Sequence, residues 1–136
     1  MRMLLISAVL VVAAVAVGVA ASMPSKYASL TITYWADEQE PTQFKRWTLR
    51  CSPLGGTLPT RKRACAKLSV TTAGAFAQVP QDAICTQIYG GPDKAVVKGT
   101  LGMVRIWSSF RRRNGCEIDR WNRFSPWLLP PGGLTR

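Results

Sequence analysis

Four cysteines, Cys51, Cys65, Cys85 and Cys116, constrain this chain more than any other feature, because the segment before them decides their chemistry. Arg2 supplies a positive start, and Met3 to Ala20 is an almost unbroken apolar run. Val19-Ala20-Ala21 then sets small residues where a signal peptidase cuts. Residues 1–21 therefore read as a signal peptide removed before Ser22, in preference to a retained membrane anchor, and the chain is expected to be secreted, with no membrane attachment after cleavage. No Cys follows the apolar run, which argues against a lipid anchor. An even cysteine count in an exported chain points to two disulfides. Their spacing is not that of a zinc site, and there is no histidine to complete one, so no metal and no cofactor are expected. Counting alone leaves three pairings open. The nearest-neighbour pairing, Cys51–Cys65 with Cys85–Cys116, closes two short loops, each contributing about 3–4 kcal/mol in the chain-entropy model.

With 136 residues the chain has room for one domain. Residues 22–28 read as a flexible mature N-terminus, 29–125 as the domain, and 126–136 as a loosely ordered Pro/Gly-rich tail. Ser29 to Trp35 alternates, with Leu30, Ile32 and Tyr34 on one face, and so does Phe44 to Cys51, with Trp47, Leu49 and Cys51 facing inward; both patterns predict half-buried strands. A short polar link between them suggests an antiparallel pair. Pro53, Gly55 and Gly56 break the second strand. Pro59 opens a helical stretch of about ten residues that sets Ala64, Cys65 and Leu68 on one side. Thr71 to Asp82 has no clear period, with Phe76 as its core anchor. Ala95 to Lys98 and Val104 to Arg111 predict two further strands, the second with Val104, Ile106 and Phe110 on one face. Asn114-Gly115 reads as a turn, and a second helix is expected from about Glu117, with Ile118 and Trp121 toward the sheet. The sum is an α+β domain, an antiparallel sheet of four to five strands with two helices packed on one face.

Enzyme chemistry finds little to work with. The absence of histidine removes the usual Ser/His/Asp and Cys/His arrangements. The seven acidic residues offer no convincing acid–base pair: Asp37, Glu38 and Glu40 fall in a connection, and Glu117 and Asp119 suit a helix start. No phosphate-binding or dinucleotide fingerprint is present. The chain is expected not to be an enzyme.

The net charge of +11 favours attraction to acidic surfaces. Its dense clusters, Arg61-Lys62-Arg63 and Arg111-Arg112-Arg113, are not interleaved with aromatics as single-strand binding requires, so no specific nucleic-acid partner is expected. A non-inhibitory secreted module that docks on anionic polymer through Arg111 to Arg113 is the alternative function.

Three stretches carry a resemblance. They are Trp47 to Thr57 followed by Ala64-Cys65, then Ile84-Cys85-Thr86-Gln87-Ile88-Tyr89-Gly90-Gly91-Pro92, and Arg113-Asn114-Gly115-Cys116-Glu117-Ile118. Together with the order and spacing of the four cysteines, they resemble the Streptomyces subtilisin inhibitor family over residues 29 to 125. The resemblance implies the nearest-neighbour disulfide pairing, a five-stranded antiparallel sheet and a homodimer formed through the sheet faces. It also implies reversible, substrate-like inhibition of secreted serine proteases, subtilisin-like enzymes first and trypsin-like ones less so. The scissile bond carries over to Gln87–Ile88. Gln87 is then P1 and Ile88 P1′, with Thr86, Cys85 and Ile84 upstream as P2 to P4 and Tyr89 as P2′. Cys85, bridged to Cys116, anchors the loop upstream, Tyr89 and Pro92 brace it downstream, and the Asn114 amide is expected to hold loop carbonyls. Gln87 is long, neutral and polar, a modest fit to either a subtilisin-like or a trypsin-like pocket.

Overall fold

A computed structural model describes residues 27–133; the expected signal peptide and the start of the mature chain lie outside the described residues. Five strands form one antiparallel sheet in the order β3-β2-β1-β4-β5. They are β1 (Ala28–Trp35), β2 (Lys45–Cys51), β3 (Gly55–Gly56), β4 (Lys94–Leu101) and β5 (Val104–Phe110), with helices α1 (Arg61–Ser69) and α2 (Gly115–Phe124). No helix among the described residues is long and apolar enough to cross a membrane.

The period-2 pattern sets the register. In β1, Leu30 lies opposite Leu49 of β2 on one side and Gly99 of β4 on the other, and Ile32 lies between Trp47 and Val97. Pairing in this register puts Leu30, Ile32, Leu49, Val97 and Phe110 on one face, where they are buried. Both helices close over that face. Ala64 and Leu68 of α1 and Trp121 and Phe124 of α2 join the same core cluster. The two disulfides are Cys51–Cys65, which staples α1 to β2, and Cys85–Cys116, which ties the segment before β4 to the start of α2.

Several sequence expectations change in detail. Ala28, assigned to a flexible N-terminus, is fully buried in β1, because the strand pairing with Cys51 and Leu101 reaches it. Gly55-Gly56 does more than break a strand: it turns back to pair with Leu49 and Arg50. The predicted strand at Ala95 to Lys98 runs on to Leu101. The first helix begins at Arg61 rather than Pro59. Val104, expected to face the core, is 51% exposed, since it sits at the end of β5 beside the Gly102-Met103 turn. The loosely ordered tail is the largest correction. Trp127, Leu128 and Leu129 are buried; the Trp121 indole N–H donates to Pro130 O at 3.0 Å and the Trp127 indole N–H to Arg123 O at 2.8 Å. Its prolines and glycines suggest looseness, but three large apolar side chains in a row outweigh them once a hydrophobic groove is available.

A cation lies inside this core. Arg120 is 5% exposed, and its guanidinium packs 3.9 Å above the Phe110 ring. It donates to Ala77 O and Ser109 O, each at 2.7 Å, to Phe76 O at 2.9 Å, and to Ser108 Oγ. Burial pulls its pKa down to about 10, which leaves it charged at neutral pH. Its forked donors tie Phe76 O and Ala77 O, at the end of the 3-10 turn Ala73–Phe76, to Ser109 O of β5.

Candidate functional site

Between the 3-10 turn and β4 the chain runs from Ala77 to Asp93 without helix or strand. Its middle stands out from the domain: Ile84 is 101% exposed, Ile88 59% and Tyr89 66%, and Thr86 and Gln87 are exposed between them. Three large apolar side chains held in solvent contribute nothing to folding, so the shape of the loop must come from its backbone contacts.

Those contacts are specific. The Cys85–Cys116 bridge joins the loop to the first turn of α2 with a Cα–Cα distance of 5.4 Å. Next to it, the Gly115 N–H donates to Thr86 O at 2.9 Å. Gly115 has no side chain for good reason: a Cβ there would stand 2.0 Å from Thr86 Oγ1. Beyond the exposed tip, the Gly90 N–H donates to Arg112 O at 2.7 Å and the Arg112 Nε–H returns to Gly90 O at 3.0 Å. Gly90 also lies against Ile118 of α2, where a Cβ would come within 2.8 Å of Cγ1. The downstream arm then fixes to the body, with the Glu38 N–H donating to Pro92 O at 2.9 Å. The residues from Thr86 to Gly90 thus hang between two main-chain anchors, and the Gln87 amide folds back to Cys85 O at 3.4 Å.

Arg112 and Asp93 form a second layer under the downstream arm. Asp93 is 3% exposed. It accepts from Tyr34 Oη at 2.8 Å and from the Gly133 N–H at 3.1 Å, with Arg112 Nε 3.9 Å away. Burial first, and then the hydrogen bond to Asp93, push the Tyr34 phenol well above its ordinary pKa. Gly133, the last described residue, therefore lies against the carboxylate that neighbours the loop.

Asn114 plays a different part from the expected one. Its Oδ1 accepts from the Glu117 N–H at 3.0 Å, capping α2, and the Glu117 carboxylate accepts from the Arg113 N–H at 3.1 Å. The cap fixes where α2 starts and so aims the Gly115 N–H at the loop, while the bond to the loop carbonyl comes from Gly115 itself. Sequence reading missed Gly115, Arg112 and Asp93; adjacency to Cys116 was the available signal for Gly115, and nothing local marks the other two.

The arginine cluster is engaged within the molecule. Arg111 and Arg113 both pair with Glu38, at 2.9 and 2.6 Å, and Arg112 is committed to Gly90. Partial burial works against ionisation of Glu38, but the hydrogen bonds from Arg113 and Arg111 outweigh it and hold its pKa below the ordinary value. Among the described residues no group of His, Cys, Asp and Glu is placed to hold a metal ion.

What this geometry can do is present an accessible peptide segment whose two ends are tied to the body of the domain. The family model described as subtilisin inhibitor-like matches residues 24–108, which takes in the exposed loop but ends before Cys116 and α2. No curated protein matches the chain.

Proposed function

We propose, from the premise that the chain belongs to the subtilisin inhibitor-like family, that it inhibits serine proteases by offering the loop around Gln87–Ile88 as a substrate that is held rather than released. The family is one of protease inhibitors rather than enzymes. The observation that carries the reading is the pair of anchors on the loop: Gly115 N–H to Thr86 O beside the Cys85–Cys116 bridge, and the double hydrogen bond between Gly90 and Arg112. The side chains of Ile84, Thr86, Gln87, Ile88 and Tyr89 remain exposed. Such a segment pairs main chain to main chain with a substrate groove and loses little entropy on doing so.

The same anchors govern the fate of the bond once a protease attacks it. If the Gln87–Ile88 bond is cut, the new amine of Ile88 stays tethered through Gly90 while the acyl group stays tethered through Thr86 and Cys85. An effective molarity of about 10⁵ M or more favours resealing over hydrolysis. An interface of about 1,600 Å² then supports nanomolar binding. Subtilisin-like enzymes are the first targets, with Gln87 a neutral, polar P1 that fits such a pocket modestly because its amide must be desolvated. The apolar run at Met3 to Ala20 and the two disulfides support an extracellular site of action. The homodimer implied by the resemblance would stack the outer sheet faces of two copies.

The test is residual subtilisin activity against titrated inhibitor. Tight, near-stoichiometric loss of activity supports the proposal; undiminished activity at micromolar excess across several serine proteases ends it. Gln87→Lys should shift inhibition toward trypsin by at least about tenfold, since a buried Lys at P1 gains a charge partner in a trypsin-like pocket. A trypsin profile unmoved by that change would show the register to be wrong.

A further inference from the structure

The chain beyond α2 returns to the inhibitory loop. The Leu128 and Leu129 N–H groups both donate to Phe124 O, and Pro130 O accepts from the Trp121 indole and from Ser125 Oγ, so the course of the segment is fixed. Past Leu129 the described residues are two prolines and two glycines, which add little apolar surface to the core. They nonetheless make specific contacts. Gly132 lies flat on the Arg112 side chain, where a Cβ would stand 2.5 Å from Cδ and 2.6 Å from Nε. The Gly133 N–H donates to Asp93 Oδ2 at 3.1 Å, the oxygen that stands 3.9 Å from Arg112 Nε. A Cβ on Gly91 would come within 2.8 Å of that same oxygen and 3.6 Å of Gly133 Cα, so the main chains of the loop arm and the C-terminal segment run close together. Arg112 has little freedom left: its side chain is 11% exposed, its Cζ lies 5.8 Å from the Trp121 ring centre, and its Nη1–H donates to Asn122 Oδ1 at 3.5 Å.

We propose that Gly132-Gly133 is a strap that positions the downstream arm of the loop. It keeps the Arg112 guanidinium on Gly90 O, directly at Gly132 and through the Asp93 carboxylate at Gly133. Arg112 and Asp93 are then positioning residues, and resealing of a nicked Gln87–Ile88 bond depends on the C-terminal segment. The consequence for resealing rests on the inhibitory reading of the loop; the strap itself does not. With the strap gone, the Arg112 stem has space to leave Gly90 O, and the arm is held there by the Gly90 N–H to Arg112 O bond alone. Arg111 and Arg113 cannot take over, since both pair with Glu38. The Ile88 amine of a nicked chain would then range more widely, and the effective molarity that favours resealing would fall.

Two variants test this: a chain ended after Pro130, and Gly132→Ala, whose added methyl displaces the Arg112 stem or lifts the segment off it. Amide hydrogen exchange followed by NMR reads the strap without any protease. The Gly90 N–H should exchange at least about tenfold faster in both variants, while the Gly115 N–H, at the other anchor, keeps its native rate. Subtilisin reads the consequence. Nicking at Gln87–Ile88 should be at least about tenfold faster, with the inhibition constant raised by a similar factor. In an Arg112→Gln background, truncation should add nothing to either readout, because both changes act through one contact. A thermal melt checks that each variant folds, and Gly132→Ala carries the test alone if the truncated chain does not. Native exchange at Gly90 overturns the proposal. So does equal acceleration at Gly115, the mark of general loosening, or a truncation effect undiminished by Arg112→Gln. A native chain that inhibits no serine protease ends the inhibitory reading instead, and the exchange rates at Gly90 and Gly115 still decide the strap.

Discussion

Gly115 is the residue on which the loop turns. Its N–H holds Thr86 O, and the space for a Cβ is taken by Thr86 Oγ1 at 2.0 Å. The group in the way is a short, β-branched side chain with little freedom to swing. Gly115→Ala should therefore displace Thr86 and weaken subtilisin inhibition by about tenfold or more while the melting temperature changes little; an unchanged inhibition constant would remove Gly115 from the mechanism. Arg120 acts further back. Its guanidinium ties Phe76 O and Ala77 O to β5, fixing the segment that leads into the loop. Arg120→Met keeps the apolar stem but removes the Arg120 donor from Ala77 O and leaves Phe76 O to the Ser108 hydroxyl alone, at about 1–3 kcal/mol for each carbonyl left without a partner. Arg120→Lys should recover only part of that, since one ammonium cannot reproduce the fork; equal stability of the Lys variant and the native chain, by chemical denaturation, would contradict this role.

At the scale of elements, α2 links the two anchors. It starts at the Asn114 cap, carries Gly115 and Cys116 to the upstream side of the loop, and presents Ile118 under Gly90. Replacing the bridge by Cys85→Ser with Cys116→Ser should cost about 3–4 kcal/mol of stability and turn the loop from inhibitor to substrate, read as faster cleavage of the variant by subtilisin. Much of this architecture is legible in the sequence. The alternation in Leu30-Thr31-Ile32 and Trp47-Thr48-Leu49 encodes both strand type and buried face, and the cysteine frame encodes which elements are tied. What is not legible depends on partners far along the chain. Arg112 reads as one of three equivalent cations, yet only it reaches Gly90, because Arg111 and Arg113 point to Glu38. Trp127 to Leu129 sits among prolines and a glycine pair, and only the groove beside Trp47, Leu58 and α2 decides that it packs.

For the molecule as a whole, stability and function meet at the same acidic residues. Glu38 fastens the arginine cluster and, through its own N–H, Pro92. Its pKa is depressed in the fold, so its contribution is complete above the ordinary carboxylate range and disappears as pH falls through the lower folded value. Thermal stability should thus decline on acidification below about pH 4.5, and Glu38→Gln should flatten that decline; an equally steep acid transition in the variant would contradict the assignment. The C-terminal segment adds Trp127, Leu128 and Leu129 to the core, and its Gly133 N–H donates to Asp93. Leu128→Ala should cost about 2–5 kcal/mol, the loss expected of a core residue, whereas a change near zero would mean that the segment does not pack in solution.

The central claim is a loop that is attacked but not surrendered. Incubating the protein with catalytic subtilisin and following the Gln87–Ile88 bond by mass spectrometry, alongside enzyme activity, measures this directly. The account predicts suppressed activity and a slowly reached, stable mixture of intact and nicked chains, the two halves held by Cys85–Cys116. Rapid, complete and irreversible cleavage between Thr86 and Tyr89, with the enzyme still fully active, would contradict it.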